Sequence, residues 1–270
     1  MPPATKPILW HIPISHYSEK VRWALDYKGV EYERRAPQAG LHMAVASVLT
    51  RGRHATLPVI EIDGARLGDS TWIIDALEER FPSPPLYPAA EADRRRALDL
   101  EDWFDEHLGP PIRLLAWHEV THDPRALEDL ARRQVPQALS RFGQLAAAGT
   151  RAFVNLRYGV RSTEAAEHAR RRVGEALDRL ETELGEGDYL VGARFSVADL
   201  TAAALFYPLV LPPEGPPLLS ELPAGFERFR APLQERRGYR WVQEMFRRHR
   251  LPAGAPARER SPRGEPAARA

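Results

Sequence analysis

The chain contains no cysteine among its 270 residues. This absence excludes disulfides, cysteine metal sites and catalysis by a thiol of the protein itself, so any sulfur chemistry must come from a bound ligand. No apolar run approaches the roughly 20 residues that cross a bilayer. The opening "MPPATKPILW" also lacks the apolar core of a secretory signal. We therefore predict a cytoplasmic protein without a membrane partner.

The chain also lacks an excess of charge of either sign. Its 38 Lys and Arg residues nearly balance its 37 Asp and Glu residues, and the formal net charge is +1 at pH 7. A protein without a strong overall field is poorly suited to bind the phosphates of nucleic acid. Nucleic acid is therefore not expected as a partner.

Residues 1–83 show alternating strand and helix patterns. "ILWHI" is a short apolar run, and "SEKVRWALDYKGV" follows it with helical periodicity. "VEYERRAP" alternates like a strand, "GLHMAVASVLTRG" is a short helix or loop, and "TLPVIEIDGARLGD" is two strands joined at Asp63-Gly64. A helix in "DSTWIIDALEERFP" has Asp69 or Ser70 as its N-cap. The order β-α-β-α-β-β-α predicts an α/β domain.

The remaining chain divides into three segments by composition. Residues 84–94 are proline-rich and unperiodic, which predicts a linker. Residues 95–250 carry only helical patterns, which predicts an all-α helical bundle. The patterns are "RRRALDLEDWFDEHL", "PRALEDLARRQVPQALSRFGQLA", "STEAAEHARRRVGEALDRLETELG", "SVADLTAAALFYPLVL" and "GYRWVQEMFRRHR". Residues 251–270 have hardly any large apolar side chain, so we predict a disordered tail.

Two serines in the stretch "SHYS", Ser15 and Ser18, stand at the spacing of a Cys-x-x-Cys redox pair. They lie at a predicted strand-to-helix turn, where unpaired N–H groups and the helix dipole stabilise an anion such as a thiolate. A serine keeps this turn but cannot form a mixed disulfide. Ser15 is therefore a candidate catalytic residue that acts on the sulfur of a ligand. The alternative is a plain helix N-cap.

Over about residues 7–250, the order of elements and four short motifs resemble those of the cytosolic glutathione transferase family. The motifs are the catalytic turn at Ser15, the cis-proline site Leu57-Pro58, the acidic-serine pair Asp69-Ser70 and the capping box Ser196/Asp199. The resemblance implies a thioredoxin-like N-terminal domain with a mixed sheet, followed by the all-α domain. It also implies a serine-type enzyme, since Trp10-His11 occupy the place of the tyrosine in tyrosine-type members.

The resemblance further implies a ligand and the residues that bind it. Glutathione, or another low-molecular-weight thiol, would be the cofactor, and its thiolate would add to a small-molecule electrophile in a homodimeric transferase. The implied thiol-binding residues are Ser15, Arg53, His54, Leu57, Pro58, Asp69 and Ser70. Arg51 is a further candidate for the glycyl carboxylate. The acceptor pocket is expected at Tyr17, Trp103, His107 and Trp117.

Several alternatives stay open at this point. Tyr17 or His16 could share the role of Ser15. The fold without turnover would be a binding or scaffold module, and the same thiolate could serve an isomerase or a lyase. The stretch "HEVTH" matches the H-E-x-x-H pattern of zinc peptidases, but Asp123-Pro124 follows at once and no third ligand is visible. We therefore expect no metal site.

Overall fold

The structure is a computed structural model that describes residues 6–38, 40–134, 143–160 and 162–250. Its first part alternates strands and helices as the sequence predicts, and the stretch left open as a short helix or loop is helical. The elements are β1 (Ile8–Trp10), α1 (His16–Tyr27), β2 (Glu33–Arg35), α2 (His42–Leu49), β3 (Val59–Ile62), β4 (Ala65–Gly68) and α3 (Ser70–Arg80).

The four strands form one mixed sheet in the order β2-β1-β3-β4. β1 pairs in parallel with β2, whereas β3 is antiparallel to both β1 and β4. Leu9 and Ile60 face each other across β1 and β3 and are buried. Asp63 and Gly64 both adopt positive φ, 50° and 79°, as a tight hairpin turn between β3 and β4 requires. The predicted thioredoxin-like domain is confirmed.

The described residues of the second part form α-helices joined by loops, with a short 3₁₀ turn at Ala231–Leu233 and no strand. Its helices are α4 (Glu91–His107), α5 (Gly109–His122), α6 (Pro124–Gln134), α7 (Gly143–Tyr158), α8 (Thr163–Leu184), α9 (Val197–Val210), α10 (Ala224–Arg230) and α11 (Arg237–His249). The predicted all-α domain is confirmed.

One helix boundary differs from the sequence prediction. α4 begins at Glu91, so residues 91–94 of the predicted linker are helical. "EADRRR" is rich in helix-forming residues, but it has no large apolar residue to show the period. The pattern predicted as one helix from residue 124 is described as α6 and α7, and residues 135–142 lie outside the described residues, as does the tail at 251–270.

The core runs across both domains without interruption. Every residue of α9 is buried, and α1, α4 and α11 all pack against this helix. Trp23 of α1 lies 4.4 Å from the ring of Phe246 and 5.7 Å from that of Phe195, so aromatic packing joins the domains. Among the described helices, none is both long and apolar enough to cross a bilayer.

The predicted capping box at the start of α9 is confirmed. Both the backbone N–H and the hydroxyl of Ser196 donate to Oδ2 of Asp199, at 2.9 and 2.8 Å. The N–H of Leu190 donates to the other carboxylate oxygen at 2.7 Å. Burial raises the pKa of Asp199 to about 6. This buried carboxyl thereby fixes the entry of the chain into the central helix.

Candidate active site

A cavity of about 1480 Å³ lies between the two domains. The domain with the sheet contributes the turn before α1, the Leu57-Pro58 segment and the first turn of α3. The helical domain contributes parts of α4, α5 and α7 and the segment 217–219. Typical small-molecule pockets measure about 300–1000 Å³. This cavity is therefore large enough for two ligands at once.

Ser15 lies at the cavity wall as the N-cap of α1. Its Oγ accepts a hydrogen bond from the N–H of Ser18 at 3.3 Å. A hydroxyl that accepts one hydrogen bond still has its own proton to donate. The capping role of Ser15 is thus compatible with a second hydrogen bond, donated to an anion in the cavity.

A buried arginine holds the turn that carries Ser15. The Arg22 guanidinium donates to the carbonyl oxygens of Ile12 and Pro13 at 3.3 and 3.0 Å, and to Oε2 of Glu19 at 2.8 Å. Ser18 Oγ accepts the N–H of Ile12 at 3.2 Å. These bonds fix the path of the chain from β1 to α1. Ser18 therefore supports the turn and has no cavity-lining role.

Leu57-Pro58 forms a second part of the wall directly before β3. The Leu57-Pro58 peptide bond is cis, as expected from the resemblance. Both residues are buried and both line the cavity. The cavity wall here is thus backbone and apolar side chain, next to the turn with Ser15.

The N-terminus of α3 forms the third part of the wall. Asp69, with a positive φ of 74°, is the N-cap, and its Oδ1 accepts the N–H of Thr71 at 2.9 Å. Ser70 is buried and lines the same cavity. Two helix N-termini, those of α1 and α3, therefore face one space. Such an arrangement favours a ligand with two separated anionic groups.

The neighbours of Ser15 differ in what they can donate. Tyr17 Oη donates to the carbonyl oxygen of Asp105 at 2.8 Å, and burial together with Asp105 raises the pKa of Tyr17. α5 begins at Gly109, which packs against this ring. A glycine is required there, because a Cβ would overlap the Tyr17 hydroxyl. Burial and the charge of Arg113 lower the pKa of His16 to about 3. Both side chains are thus neutral at physiological pH, and the Tyr17 proton is already in use.

Two predicted pocket residues lie elsewhere. Trp103 and His107 stack on each other with ring centroids 4.9 Å apart, and Arg179 of α8 lies 5.7 Å from the Trp103 ring. Neither residue lines the cavity, whereas Trp117 and Tyr17 do. The helical period explains the correction. The cavity face of α4 carries Asp102, Asp105 and Glu106, and positions 103 and 107 face α8.

The candidates for a glycyl carboxylate also lie outside the cavity lining. Arg53 is exposed, and its Nε donates to the carbonyl oxygen of Thr50 at 3.2 Å. The His54 ring packs against Gly68, where a Cβ would lie 2.7 Å from ring atoms. The structure thus brings together five of the seven predicted thiol-binding residues, namely Ser15, Leu57, Pro58, Asp69 and Ser70.

A buried ion cluster beneath the site is not evident from the sequence. Lys20 of α1 is fully buried, and its Nζ lies 2.8 Å from Glu101 and 2.5 Å from Asp105 of α4. Burial alone would lower the pKa of Lys20, but Glu101 and Asp105 raise it, so the ammonium stays charged. Thr71 Oγ1 donates to Asp105 at 3.0 Å. The cluster links the two domains directly behind the cavity.

The side chains of the "HEVTH" stretch have structural partners. Nδ1 of His118 lies 2.7 Å from the carbonyl oxygen of Val160, and Glu119 pairs with Arg170. Nδ1 of His122 lies 2.7 Å from the His118 carbonyl oxygen, in the last turn of α5. Within the part of the chain that the structure describes, no group of three or more His, Asp or Glu residues is placed to hold a metal ion.

The sequence matches two models of known protein families. The family model described as glutathione S-transferase, N-terminal domain, matches residues 9–85, and the one for the C-terminal domain matches residues 163–231. The chain belongs to the cytosolic glutathione S-transferase family. Membership in this family supports glutathione, the first of the two kinds of thiol that the sequence predicts, as the cofactor or substrate.

Individual relatives are distant from this glutathione S-transferase. The probable maleylacetoacetate isomerase of Caenorhabditis elegans is 26% identical over 204 residues, which are 75% of this chain and 78% of that protein. The crystal structure of the beta-etherase LigF from Sphingobium sp. strain SYK-6 has a TM-score of 0.59 at 21% identity, covering 89% of this chain and 99% of that chain.

A third relative was solved with its ligand. The theta class glutathione S-transferase from Xanthomonas axonopodis pv. citri, with glutathione bound, has a TM-score of 0.54 at 23% identity and covers 87% of this chain and 96% of that chain. At such identities, a likeness to solved structures shows the fold alone.

Proposed function

We propose that this protein is a serine-type glutathione transferase in which Ser15 stabilises the thiolate of bound glutathione for attack on an electrophile. The observation that carries the proposal is the position of Ser15 at a helix N-terminus in a cavity that a second helix N-terminus also faces. When bound, glutathione supplies a thiolate that forms a sulfur–carbon bond with the electrophile, while the thiol proton passes to solvent.

The residues of the cavity fit the parts of the tripeptide. The Asp69 carboxylate suits the γ-glutamyl ammonium, and Ser70 with the first-turn N–H groups of α3 suits the carboxylate beside it. The backbone of Leu57 suits the cysteinyl peptide unit. The Ser15 hydroxyl and the dipole of α1 then lower the pKa of the glutathione thiol from about 8.5. Each pKa unit corresponds to about 1.4 kcal/mol of stabilisation of the thiolate relative to the thiol.

A thiol-dependent isomerase or lyase is the second candidate. The names of two relatives, a maleylacetoacetate isomerase and a beta-etherase, favour it. The same Ser15 turn would serve, because both chemistries need a stabilised thiolate. An isomerase would release glutathione unchanged after the sulfur–carbon bond has formed and broken. The amount of glutathione consumed per substrate converted separates an isomerase, which consumes none, from a transferase, which consumes one.

The proposal also covers the oligomeric state of the protein. We expect a homodimer on the basis of family membership, with a small-molecule electrophile as the second substrate. Sedimentation velocity at micromolar concentrations measures the assembly state directly, and the monomer mass throughout would remove this part of the proposal.

Two substitutions at one position test the catalytic assignment. Ser15→Ala should lower the conjugation rate with a chlorodinitrobenzene by about 10²–10³, comparable to the loss of one oxyanion donor, with little effect on glutathione affinity. Ser15→Cys should attack glutathione disulfide: the disulfide bond breaks, a mixed disulfide forms and one glutathione thiolate leaves. If Ser15→Ala conjugates as fast as the parent and Ser15→Cys stays unmodified in mass spectra, Ser15 is only a cap.

A further inference from the structure

The charged side chains of the cavity are sorted by wall. The acidic wall lies on α4 and at the start of α3, and its residues are Asp69, Asp102, Asp105 and Glu106. The basic wall lies on α5 and α7 and contains Arg113 and Arg157. Asp105 is paired with Lys20, so Asp69, Asp102 and Glu106 are the acidic side chains that suit the ammonium end of glutathione in the proposed function. No part of glutathione is assigned to the basic wall, so this wall is available to a second ligand in the same cavity.

One tyrosine ring brings the two arginines of the basic wall together. The guanidinium carbon of Arg113 lies 5.0 Å from the centroid of the Tyr158 ring, and that of Arg157 lies 5.2 Å from it. Arg113 also lies 5.9 Å from the Tyr17 ring, two residues after Ser15. Cation–π contacts hold a guanidinium in place but leave its N–H donors free. Both cations are therefore close enough to contact one ligand beside the thiolate site.

Neither arginine has an anionic partner in the described part of the chain. Arg170, Arg230 and Arg236 each form a salt bridge with a glutamate. For Arg113 and Arg157, the contacts found among the described residues are those with aromatic rings. A planar guanidinium with free donors in a concave site is suited to bind a carboxylate through two parallel hydrogen bonds.

Most of the other side chains on this side of the cavity are apolar, although Thr150 and Tyr158 add hydroxyl groups. Among the apolar ones are Trp117, Phe153, Pro208, Leu218 and Leu219. Apolar and aromatic walls bind the body of a planar ligand, and a few placed polar groups fix its orientation. The basic wall and these side chains together describe a ligand with a flat, apolar body and one anionic end.

We propose that Arg113 and Arg157 form a carboxylate-binding subsite, so that the second substrate is an aromatic or unsaturated electrophile bearing a carboxylate. This inference rests on the proposed function, because it assigns the second substrate of the same cavity. The opposite charges of the two walls orient the two ligands: the ammonium of glutathione lies at α3 and α4, and the carboxylate of the electrophile at α5 and α7.

Binding of a non-reactive pair of probes tests the subsite without any turnover. Nitrobenzoate and nitrobenzamide differ in charge but little in shape, and calorimetry gives the affinity of each for the full chain. The wild type should bind the carboxylate about tenfold more tightly, since a hydrogen bond to a charged group is worth this much or more. Arg113→Gln with Arg157→Gln should remove the preference.

Two further variants separate charge from packing. The double lysine variant, Arg113→Lys with Arg157→Lys, keeps both charges but loses the two parallel hydrogen bonds and the ring stacking, so it should keep only part of the preference. Arg151→Gln changes an exposed arginine of the same helix, α7, that does not line the cavity, and should behave as the wild type. Equal binding of both probes by the wild type, or an unchanged preference in the double glutamine variant, overturns the proposal.

Conjugation of a reactive pair separates this proposal from the proposed function. With glutathione and a chloronitrobenzoate or the matching benzamide, a sulfur–carbon bond forms, the carbon–chlorine bond breaks, chloride leaves with the electron pair and the thiol proton passes to buffer. The ratio of kcat/KM values should favour the benzoate by about tenfold. No conjugation with a retained binding preference counts against the proposed transferase alone. Conjugation of both probes at equal kcat/KM, with equal affinities, counts against the subsite alone.

Discussion

Ser15 and Asp69 each cap a helix whose N-terminus faces the cavity. Each uses a side-chain oxygen to accept one backbone N–H, from Ser18 and Thr71 respectively. A hydroxyl keeps its proton and a carboxylate keeps a second oxygen, so neither group is used up by capping. At the residue scale, the structural and the proposed chemical roles of these side chains are thus compatible.

An Asp69→Asn substitution removes the negative charge at this position but keeps an N-cap for α3. Asn is as good an N-cap as Asp, so Asp69→Asn should change the melting temperature little. The variant loses the anion that faces the γ-glutamyl ammonium, and glutathione affinity measured by calorimetry should fall about tenfold. Ser83→Ala, on the segment after α3, serves as a control. Unchanged affinity in Asp69→Asn would show that this carboxylate does not contact the ligand.

At the scale of elements, α7 forms part of the cavity wall. The residues between the two family matches, 86–162, include this helix. α7 contributes Phe153 and Arg157 to the wall, and the Phe153 ring meets the ring of His42 on α2 in an edge-to-face contact at 5.7 Å. This contact joins α7 of the helical domain to α2 of the domain with the sheet, at the wall of the cavity.

Phe153→Ala should open this side of the cavity. We expect the KM for an aromatic electrophile to rise about fivefold or more, because the ring contact and the apolar area are lost. Glutathione affinity should stay within about twofold, since Phe153 lies on α7, whereas the residues proposed to bind glutathione lie at the N-termini of α1 and α3 and directly before β3. Leu156→Ala is the matched control on the same helix, because Leu156 is 90% exposed. A KM equal to that of the control would mean that α7 takes no part in acceptor binding.

Local sequence patterns predict the elements, whereas the site depends on which faces meet. The alternation around Asp63-Gly64 and the capping box at Ser196 depend on neighbours in the chain, and both appear in the structure as predicted. The choice between Trp103 and Asp105 for the cavity depends on which side of α4 meets α8, which local periodicity does not specify. The partners of Lys20 on α4 are likewise more than 80 residues away.

At the scale of the whole molecule, buried ion pairs join the domains. Lys20 bridges α1 to Glu101 and Asp105 on α4. On the other side of α1, Arg250, directly after α11, lies 2.5 Å from Glu19. These pairs surround the aromatic packing at Trp23. These contacts together tie α1 to α4 and to the end of the helical domain.

Lys20→Met should destabilise the fold strongly. The change leaves Glu101 buried without its cation, and the loss of one partner of a buried pair costs about 3–5 kcal/mol. The matched control is Lys6→Met, which breaks the Lys6–Glu31 pair, where both side chains are mostly exposed; an exposed pair contributes about 0–1 kcal/mol. Urea unfolding measures both. A loss in Lys20→Met no larger than in Lys6→Met would show that the cluster does not hold the domains.

Buried neutral histidines should make the fold sensitive to acid. Burial is the main cause that lowers the pKa of His11 and His249 to about 4 and that of His16 to about 3. An unfolded imidazole titrates near 6.5, so below this pH the unfolded chain binds protons that the native chain does not, and stability falls towards pH 4. Asp199 opposes this trend, because its raised pKa of about 6 favours the native state as pH falls below 6.

The expected net effect is a loss, since the lowered pKa values of four imidazoles, His42 included, outweigh the raised pKa values of three carboxyls, those of Glu101, Asp102 and Asp199. Differential scanning calorimetry should show a melting temperature that drops by several degrees or more between pH 7 and pH 5, in a series at constant ionic strength. The drop should be smaller in His16→Gln, which lacks one of the titrating groups. A melting temperature that is flat or rising over this range would contradict the neutral, buried state of these histidines.

If the turn at Ser15 stabilises the thiolate of bound glutathione, the pKa of the bound thiol must be lowered. This pKa is obtained by titrating the ultraviolet absorbance of the thiolate in the complex. A free thiol titrates near pH 8.5, and we expect a bound pKa about one to two units lower in the wild type. Thr150→Ala, which removes a hydroxyl from the α7 wall, should keep the lowered value. In Ser15→Ala the pKa should return to within about half a unit of the free thiol, whereas the same lowered pKa in Ser15→Ala and the wild type would contradict this role of Ser15.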